Sequence, residues 1–265
     1  MTDTAWMQRT QLLLGAEGME RLANAHVLVV GLGGVGSFAA EMLVRAGVGT
    51  LTIVDGDVVD PTNRNRQLPA LASTHGQLKT EVMAERLLAI NPELTLHVKT
   101  MFMKGDLTDD LLATPFDYVV DAIDSLSPKI NLILKCKRMK IPLISSMGAA
   151  GKTDPTKVNI GDIFKVQNCT LSRYVRKKLK RAGVRRGVKV VYTTELPDKS
   201  SLVLTDGSNN KKSFMGTISY LPAIFGCMAA SVVIRAIAGA KEPPLQSGSP
   251  DESGSPELSP EESPE

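Results

Sequence analysis

Residues 26–37 read HVLVVGLGGVGS, and this stretch decides the fold. The apolar run 26–30 is long enough for a buried strand and too short for a helix. Glycine-rich residues follow directly and lead into a helical stretch at about 37–46. Such glycines permit a tight turn and bring phosphate oxygens close to the N–H groups of a helix N-terminus. The stretch predicts a nucleotide-binding turn, in which the contacting glycines are Gly31, Gly33, Gly34 and Gly36.

Strands and helices continue to alternate along the first half of the chain. Short apolar runs predict further strands at 50–54, 94–98, 118–120 and 142–146. Helical spacing of apolar residues predicts helices at 77–90 and 128–138. The second half is less regular, with predicted strands at 158–164 and 188–193. The pattern predicts an α/β fold, a Rossmann-like and mostly parallel sheet with flanking helices.

The overall composition is that of an ordinary globular protein. Among 265 residues, 43% are hydrophobic and 22% are charged. Three cysteines exclude a disulfide framework and also exclude two Cys-x-x-Cys pairs. The first residues, MTDTAW, carry no secretory signal, so we expect a cytoplasmic location.

The charge is unevenly distributed. Residues 242–265 carry seven acids, six prolines, six serines and no base, a composition that predicts a disordered tail. Without them, residues 1–241 carry a net charge of +10, although the whole chain carries only +3. A distinctly basic folded part predicts an anionic partner.

Residues 215–234 carry no charge and are long enough to span a bilayer. Pro222, Gly226 and many small residues instead favour a buried helix packed on the sheet. We expect no stable membrane insertion, although composition alone would flag the segment as membrane-associated.

A second set of polar residues follows the second predicted strand. Asp55 ends that strand, nineteen residues after Gly36, where a carboxylate accepts hydrogen bonds from a ribose. Asp57 follows, and Lys79 comes at the next helix. Between them the loop 63–67 reads NRNRQ, whose cations and amides suit a triphosphate better than a nicotinamide ring. The alternative interpretation is a solvated loop with a surface lysine.

A third motif, Asp121-Ala122-Ile123-Asp124, ends the fourth predicted strand. Ligands of open α/β sheets bind beyond these strand ends, where a carboxylate can hold Mg²⁺ against phosphates. The alternative is that Asp124 caps the following helix near Ser125.

Together these motifs resemble the ThiF-type adenylating family, which includes ubiquitin-activating enzymes and activators of sulfur-carrier proteins. The resemblance covers about residues 9–151 and continues more loosely to 239. It implies a ThiF-type domain over 1–241 that uses ATP and Mg²⁺. By resemblance, Asp55 binds the ribose, Asp124 binds Mg²⁺, and Arg9 reaches the partner's nucleotide in a homodimer. The other implied nucleotide contacts are Arg66, Lys79, Asp57, Asn63, Asn65 and Gln67.

The cysteines narrow the choice within the family. Sulfur-carrier activators usually carry two Cys-x-x-Cys pairs for zinc, whereas Cys136, Cys169 and Cys227 stand singly, so we expect no structural zinc. Cys169 lies near the crossover region, where a carrier-accepting thiol would be, but without a flanking signature we interpret it as a bystander. Cys136 and Cys227 are expected in the core.

The crossover segment, about 170–190, is strongly basic and between 172 and 189 has no acid. It favours a polyanion over a carrier protein, the alternative being a solvated basic helix. The expected nucleic-acid contacts are Arg173, Arg176, Lys177, Lys178, Lys180, Arg181, Arg185 and Arg186. This arrangement is similar to the branch of the family that dehydrates threonylcarbamoyladenosine in tRNA.

The resemblance implies a two-stage reaction. The threonyl carboxylate attacks the α-phosphate of ATP, pyrophosphate leaves, and the carbamoyl group then closes on the acyl adenylate and expels AMP. The sequence leaves open whether a cysteine desulfurase or sulfur-acceptor system is a partner. The alternative is an adenylyltransferase that activates the C-terminus of a small ubiquitin-like sulfur carrier. An NAD-dependent oxidoreductase and a non-catalytic binding module are less favoured.

Overall fold

The computed structural model describes residues 5–103, 105, 107–204 and 213–239. The predicted acidic tail, 242–265, lies outside the described residues, as do the last residues of the predicted domain 1–241.

Helices and strands alternate through most of the described chain. The helices are α1 (Gln8–Asn24), α2 (Gly36–Arg45), α3 (Lys79–Ile90), α4 (Leu107–Leu112), α5 (Leu126–Met139), α6 (Thr170–Arg181) and α7 (Tyr220–Ala238). The strands are β1 (His26–Val30), β2 (Thr50–Asp55), β3 (Thr95–Thr100), β4 (Tyr118–Asp121), β5 (Leu143–Ser146), β6 (Val158–Asp162), β7 (Lys189–Thr193), β8 (Leu202–Leu204) and β9 (Ser213–Met215).

Seven strands form one sheet in the order β3-β2-β1-β4-β5-β7-β6. Neighbouring strands are parallel except for β6, which pairs antiparallel with β7. The predicted mostly parallel α/β sheet is therefore confirmed. The strand order reverses between β1 and β4, and in open α/β sheets the crevice beyond the carboxyl ends at this point is where ligands bind. This places the glycine turn after β1 and the aspartates after β4 at the same edge.

The core lies on both faces of the sheet. The largest cluster joins the central strands to α2, α3 and α7, and includes the fully buried Phe225. Two further clusters lie under α5 and α6. Within the described chain, α7 is the one helix long and apolar enough to span a membrane, and half of its most apolar window is buried. It packs against α1 and α2, as the core helix of a globular domain does.

Several elements differ from the sequence prediction, and α4, β8 and β9 were not predicted at all. Helix α1 was not predicted, because Gly15 interrupts it with a φ of +72° and its exposed Leu12 and Leu13 disturb the apolar periodicity. Helix α7 begins at Tyr220 rather than near 215, because Ser213–Met215 pairs with β8. The predicted strand 158–164 ends at Asp162, whose carboxylate accepts a hydrogen bond from a backbone N–H two residues later and begins a short 3₁₀ turn.

Gly226 tests the packing of α7 on α2. A Cβ at this position would lie 2.3 Å from the Val35 carbonyl oxygen and 2.8 Å from the Phe38 Cβ. We expect Gly226→Ala to lower the free energy of unfolding by about 1–3 kcal/mol, since overpacking outweighs the gain in helix propensity. Urea unfolding measures this change. The control is Cys227→Ala at the exposed neighbouring position, and equal midpoints for the two variants would contradict the close approach.

Candidate functional site

The turn between β1 and α2 has no room for side chains at its two ends. Gly31 has a φ of +91°, and a Cβ there would lie 2.9 Å from the Ala122 carbonyl oxygen. A Cβ on Gly36 would lie 1.7 Å from the Gly31 carbonyl oxygen. Only glycine fits at either position, so these two residues shape the turn and bring the start of α2 beside the end of β4.

The two middle glycines face the loop that reads NRNRQ, residues 63–67. A Cβ on Gly34 would lie 3.1 Å from the Arg66 carbonyl oxygen and 3.0 Å from the Pro222 Cβ. A Cβ on Gly33 would lie 3.7 Å from the Gln67 side-chain nitrogen. The structure therefore brings the first two sequence motifs against each other, as the resemblance implies.

Asp55 connects the glycine turn to β2. Its carboxylate accepts hydrogen bonds from the Leu32 N–H at 2.6 Å and from the Asp57 N–H at 2.8 Å. Burial raises the pKa of Asp55, while these backbone bonds and the nearby Lys79 cation oppose the increase. A carboxylate has about four lone-pair positions, so capacity remains for a ribose hydroxyl.

Lys79 begins α3 and is almost completely buried, with 6% of its side chain exposed. Its Nζ lies 3.0 Å from a carboxylate oxygen of the half-exposed Asp57. A backbone hydrogen bond from the Lys79 N–H to the Asp57 carbonyl fixes the same two residues at 3.1 Å. The ammonium group is therefore held at the edge of the crevice, where it can neutralise a phosphate.

The loop 63–67 is fixed mainly by its own polar groups. The Arg66 guanidinium donates to the Asn65 side-chain oxygen at 2.8 Å and to a backbone carbonyl of the preceding turn at 3.0 Å. Asn65 donates in turn to the Thr217 carbonyl at 2.8 Å, which ties the loop to the segment before α7. Asn63 receives a long hydrogen bond, 3.5 Å, from the Asp60 N–H at the start of the loop.

One polar atom in this loop has no protein partner. The Gln67 side-chain oxygen is buried and accepts no hydrogen bond from any described residue. A buried acceptor without a donor is costly, and a ligand N–H such as the amino group of an adenine would satisfy it. Together with the side-chain-free glycine turn, this atom gives the site an acceptor for a ligand N–H, which a nucleotide can provide.

A buried ion pair fixes the end of β4, and sequence reasoning missed half of it. Lys129 and Asp121 are both fully buried, with the Lys129 Nζ 2.8 Å from the carboxylate. The same Nζ donates to the Ser145 hydroxyl at 3.1 Å and to the Ser146 carbonyl at 3.0 Å. The other Asp121 oxygen accepts a hydrogen bond from the Ile123 N–H at 3.1 Å. Nothing in the sequence marks Lys129, because it is one of three lysines on α5.

Asp124 lies close to this network in the sequence. The Asp121 carboxylate is bonded to Lys129, and Asp124 follows three residues later in the same strand-end loop. The cap position of α5 is Ser125, and its side chain makes no capping hydrogen bond. Within the described residues there is no cluster of three or more His, Cys, Asp or Glu side chains that could hold a metal. A cation here would therefore need phosphate oxygens as further ligands.

Arg9 lies apart from these groups within the chain. It is exposed on the first turn of α1, and no hydrogen bond between described residues joins it to the glycine turn. The nearby Leu12 and Leu13 are each 83% exposed.

The crossover segment forms a strongly basic surface. Val175 and Leu179 bury one side of α6, which leaves its cations on the outside. Lys137 joins them from α5, because its Nζ donates to the Gly187 carbonyl at 3.1 Å, and Lys140 follows at the end of the same helix. We call the exposed set the basic face: Lys137, Lys140, Arg173, Lys177, Lys178, Lys180, Arg181, Arg185 and Arg186.

Arg176 does not belong to the basic face. Its guanidinium is half-buried and donates to the Ile163 and Val166 carbonyls and to the Ser172 hydroxyl. The expected contact of Arg176 with nucleic acid therefore does not fit the geometry, because its donors are used to attach α6 to the preceding turn.

The cysteines lie on three separate elements. Cys136 is buried in α5, and burial raises the pKa of its thiol to about 12. Cys169 is buried at the start of α6, where its sulfur accepts a hydrogen bond from the Ser172 N–H. The prediction that Cys227 is a core residue is wrong, since it is exposed on the outer side of α7.

Comparison with known proteins places this chain in a family. Residues 7–249 match the ThiF family. The chain belongs to the ThiF family. A tRNA threonylcarbamoyladenosine dehydratase of Bacillus subtilis is 42% identical, over 85% of this chain and 92% of the relative. The enzyme of the same name from Haemophilus influenzae is 40% identical, over 82% of this chain and 87% of the relative.

The solved structures agree with this placement. The crystal structure of the Escherichia coli tRNA N6-threonylcarbamoyladenosine dehydratase in complex with ATP superposes with a TM-score of 0.80. It is 37% identical, and the match covers 90% of this chain and 97% of that one. The match confirms the predicted ThiF-type fold, a mostly parallel sheet with flanking helices.

The buried ion pair predicts a specific effect on stability. We expect Lys129→Met to lower the free energy of unfolding by about 3–5 kcal/mol, because it leaves the Asp121 carboxylate buried without a partner. Urea unfolding checks this, with Lys137→Met on the exposed side of α5 as the matched control. Adding Asp121→Asn to Lys129→Met should recover part of the loss. If the single variant is as stable as its control, the pair does not hold this part of the fold.

Proposed function

We propose that this chain catalyses the ATP-dependent dehydration, by cyclisation, of threonylcarbamoyladenosine in tRNA. The observation that carries the proposal is that the glycine turn lies against the NRNRQ loop, with the buried Lys79 ammonium group held by Asp57 nearby in the sequence. Two kinds of comparison support it. The relatives that match this chain over most of their length bear that enzyme's name, and a related structure contains ATP.

The chain's own groups suit the adenylation step. ATP supplies the adenylyl group that turns the threonyl carboxylate into a reactive mixed anhydride. The glycine turn offers backbone N–H groups at the start of α2, and Arg66 and Lys79 neutralise phosphate charge as pyrophosphate departs. Asp55 holds the ribose and, through the Leu32 N–H, the turn itself. Holding both reactants in one geometry lowers the activation barrier further.

Ring closure requires no protein nucleophile, and the cysteines are consistent with this. The Cys136 thiol is buried with a pKa of about 12, so it stays protonated at neutral pH. The Cys169 sulfur is buried and engaged at the start of α6. Cys227 is exposed on α7, and partial burial raises the pKa of its thiol. In the proposed reaction the carbamoyl group of the substrate attacks the activated carbonyl directly, AMP leaves, and the net change is the loss of one water.

We assign Asp124 as the Mg²⁺ ligand, because the network around Lys129 holds the strand-end loop that carries it. Mg²⁺ would supply charge neutralisation across the phosphates. A homodimer in which Arg9 reaches the partner's nucleotide, a cytoplasmic location and a sulfur-acceptor partner are further parts of this proposal, and they rest on the family resemblance.

The remaining proposal concerns how tRNA is held. The basic face carries nine exposed cations, and between 172 and 189 there is no acid to neutralise them. Such a surface suits a phosphate backbone, which is a denser anion than the surface of a carrier protein. This favours tRNA as the substrate over the C-terminus of a small sulfur carrier.

Mass spectrometry of nucleosides tests the function directly. Purified protein is incubated with tRNA that contains threonylcarbamoyladenosine, with ATP and Mg²⁺, and the digested nucleosides are analysed. We expect the modified nucleoside to lose one water, with AMP and pyrophosphate formed in equal amounts. Unchanged nucleoside together with an adenylate formed on a small carrier protein would favour the alternative function.

The nucleotide site predicts a contrast between two neighbouring arginines. Arg66→Ala should weaken ATP binding by about 10- to 100-fold, because it removes a charge-assisted hydrogen bond to a phosphate. Arg64→Ala is the control, since that side chain is exposed in the same loop. Calorimetry with ATP and Mg²⁺ measures both, and circular dichroism confirms that both variants fold. Equal affinities would remove Arg66 from the site.

The basic face predicts a change in salt dependence. Lys177→Ala with Arg181→Ala should weaken tRNA binding and reduce the slope of log affinity against log salt by about 1.4–1.8, as expected for two lost phosphate contacts. Filter binding at several salt concentrations measures the slope. The control pair, Lys99→Ala with Lys157→Ala, removes two exposed cations outside α6 and should leave it unchanged. An unchanged slope in the test pair would place the tRNA surface elsewhere.

A further inference from the structure

The described chain ends beside a cleft on the amino-terminal edge of the sheet. The cleft has a volume of about 700 Å³, and Ile237 of α7, Lys189 of β7 and Pro142 line it. Gly239 ends α7 with a φ of +71°, beside the Arg21 guanidinium that also lines the cleft. Residues 240–265 therefore start from this cleft.

Residues on both sides of the cleft lie close in sequence to cations of the basic face. Arg186 precedes Lys189 by three residues, and Lys140 precedes Pro142 by two. At about 3.3–3.6 Å per residue, these cations lie within roughly 11 Å of the cleft walls. The two routes meet, because the Lys137 Nζ donates to the Gly187 carbonyl.

The segment that starts here has the opposite charge. Residues 242–265 carry seven carboxylates and no base, whereas the basic face carries nine cations. The cleft itself is lined by charges of both signs, Glu20 and Asp117 together with Arg21 and Lys189. It therefore attracts an acidic segment less strongly than the basic face does. Near the basic face, the Asp162 carboxylate is already bonded to the Gly187 N–H. Charge complementarity therefore selects the basic face rather than the cleft.

The segment is also long enough. The 26 residues 240–265 can reach at most about 86–94 Å when fully extended, and helix α6, with its twelve residues, is only about 18 Å long. The acids can therefore reach the basic face without stretching the chain.

We propose that residues 242–265 bind in cis to the basic face and shield it from polyanions. The statement that tRNA is one of these polyanions rests on the proposed function. Each exposed ion pair contributes little and is screened over about 8–10 Å, so the contact is loose and sensitive to salt. Tethering compensates, because it holds the acids at a high effective concentration. Weakly held polyanions are displaced first, and a substrate with many phosphate contacts still binds.

A labelled peptide tests the contact without tRNA. In the full chain, all seven acids of 242–265 are changed to the corresponding amides, and fluorescence anisotropy follows binding of a peptide with the native 242–265 sequence. The peptide should bind this tail-neutral chain at low salt, and should bind the unmodified chain at least about threefold more weakly, because the native tail competes. Adding Arg185→Ala and Arg186→Ala to the tail-neutral chain should weaken peptide binding about two- to tenfold, because two of the nine cations are lost. Adding Lys99→Ala with Lys157→Ala should leave peptide binding unchanged.

Binding of tRNA tests the consequence. Tail neutralisation should strengthen tRNA binding by about three- to tenfold at low salt, with a smaller gain in the Arg185→Ala, Arg186→Ala background. A tail with the same composition in a scrambled order should behave like the native tail, because the contact depends on its charge and not on the order of its residues.

Several results would overturn the proposal. Peptide binding that is equal with and without Arg185 and Arg186 would do so, as would tRNA affinity that tail neutralisation leaves unchanged. If the unmodified chain competes with the peptide more strongly at higher protein concentration, the tail binds the basic face of a second copy instead. If the peptide binds as expected but no variant binds tRNA, the cis contact is supported and the proposed function fails.

Discussion

The structure depends on the absence of two side chains in the turn after β1. Gly31 approaches the Ala122 carbonyl, and Gly36 approaches Gly31 itself, so closely that a single added carbon would force them apart. This close approach lets α2 start directly at the crevice where the strand order reverses. The Leu32 N–H in the same turn binds Asp55 at the end of β2. One steric constraint therefore joins β1, β2 and β4 at the proposed nucleotide site.

A second device at this edge is electrostatic. Lys129 and Asp121 are fully buried and satisfy each other, with Ser145 and the Ser146 carbonyl completing the hydrogen bonds. A buried pair of this kind is strongly directional, because any displacement leaves a charge without a partner. It ties β4 to β5 and fixes the loop that carries Asp124. The rigid part of the site is thus built from groups that do not react.

Helix α6 shows how a surface is divided between structure and function. Val175 and Leu179 pack inward, and Arg176 uses its guanidinium to hold the preceding turn. The other cations remain outside and form the basic face with Lys137 and Lys140. A polyanion bound there would meet a helix that is fixed to the sheet. The acidic residues 242–265 add a charge of the opposite sign to the same chain.

Local patterns in the sequence determined the seven strands of the large sheet, the glycine turn, the order of the polar motifs and the family. They did so because a buried parallel strand and a turn without side chains each leave a signature within a few residues. Tertiary structure alone decided that Lys129 partners Asp121, that Arg176 turns inward, that Lys137 joins the basic face and that Cys227 is exposed. Each of these depends on residues that are distant in sequence or on which side of a helix meets the sheet. A lysine in a buried ion pair and a lysine in solvent are the same letter, and only packing around them tells them apart.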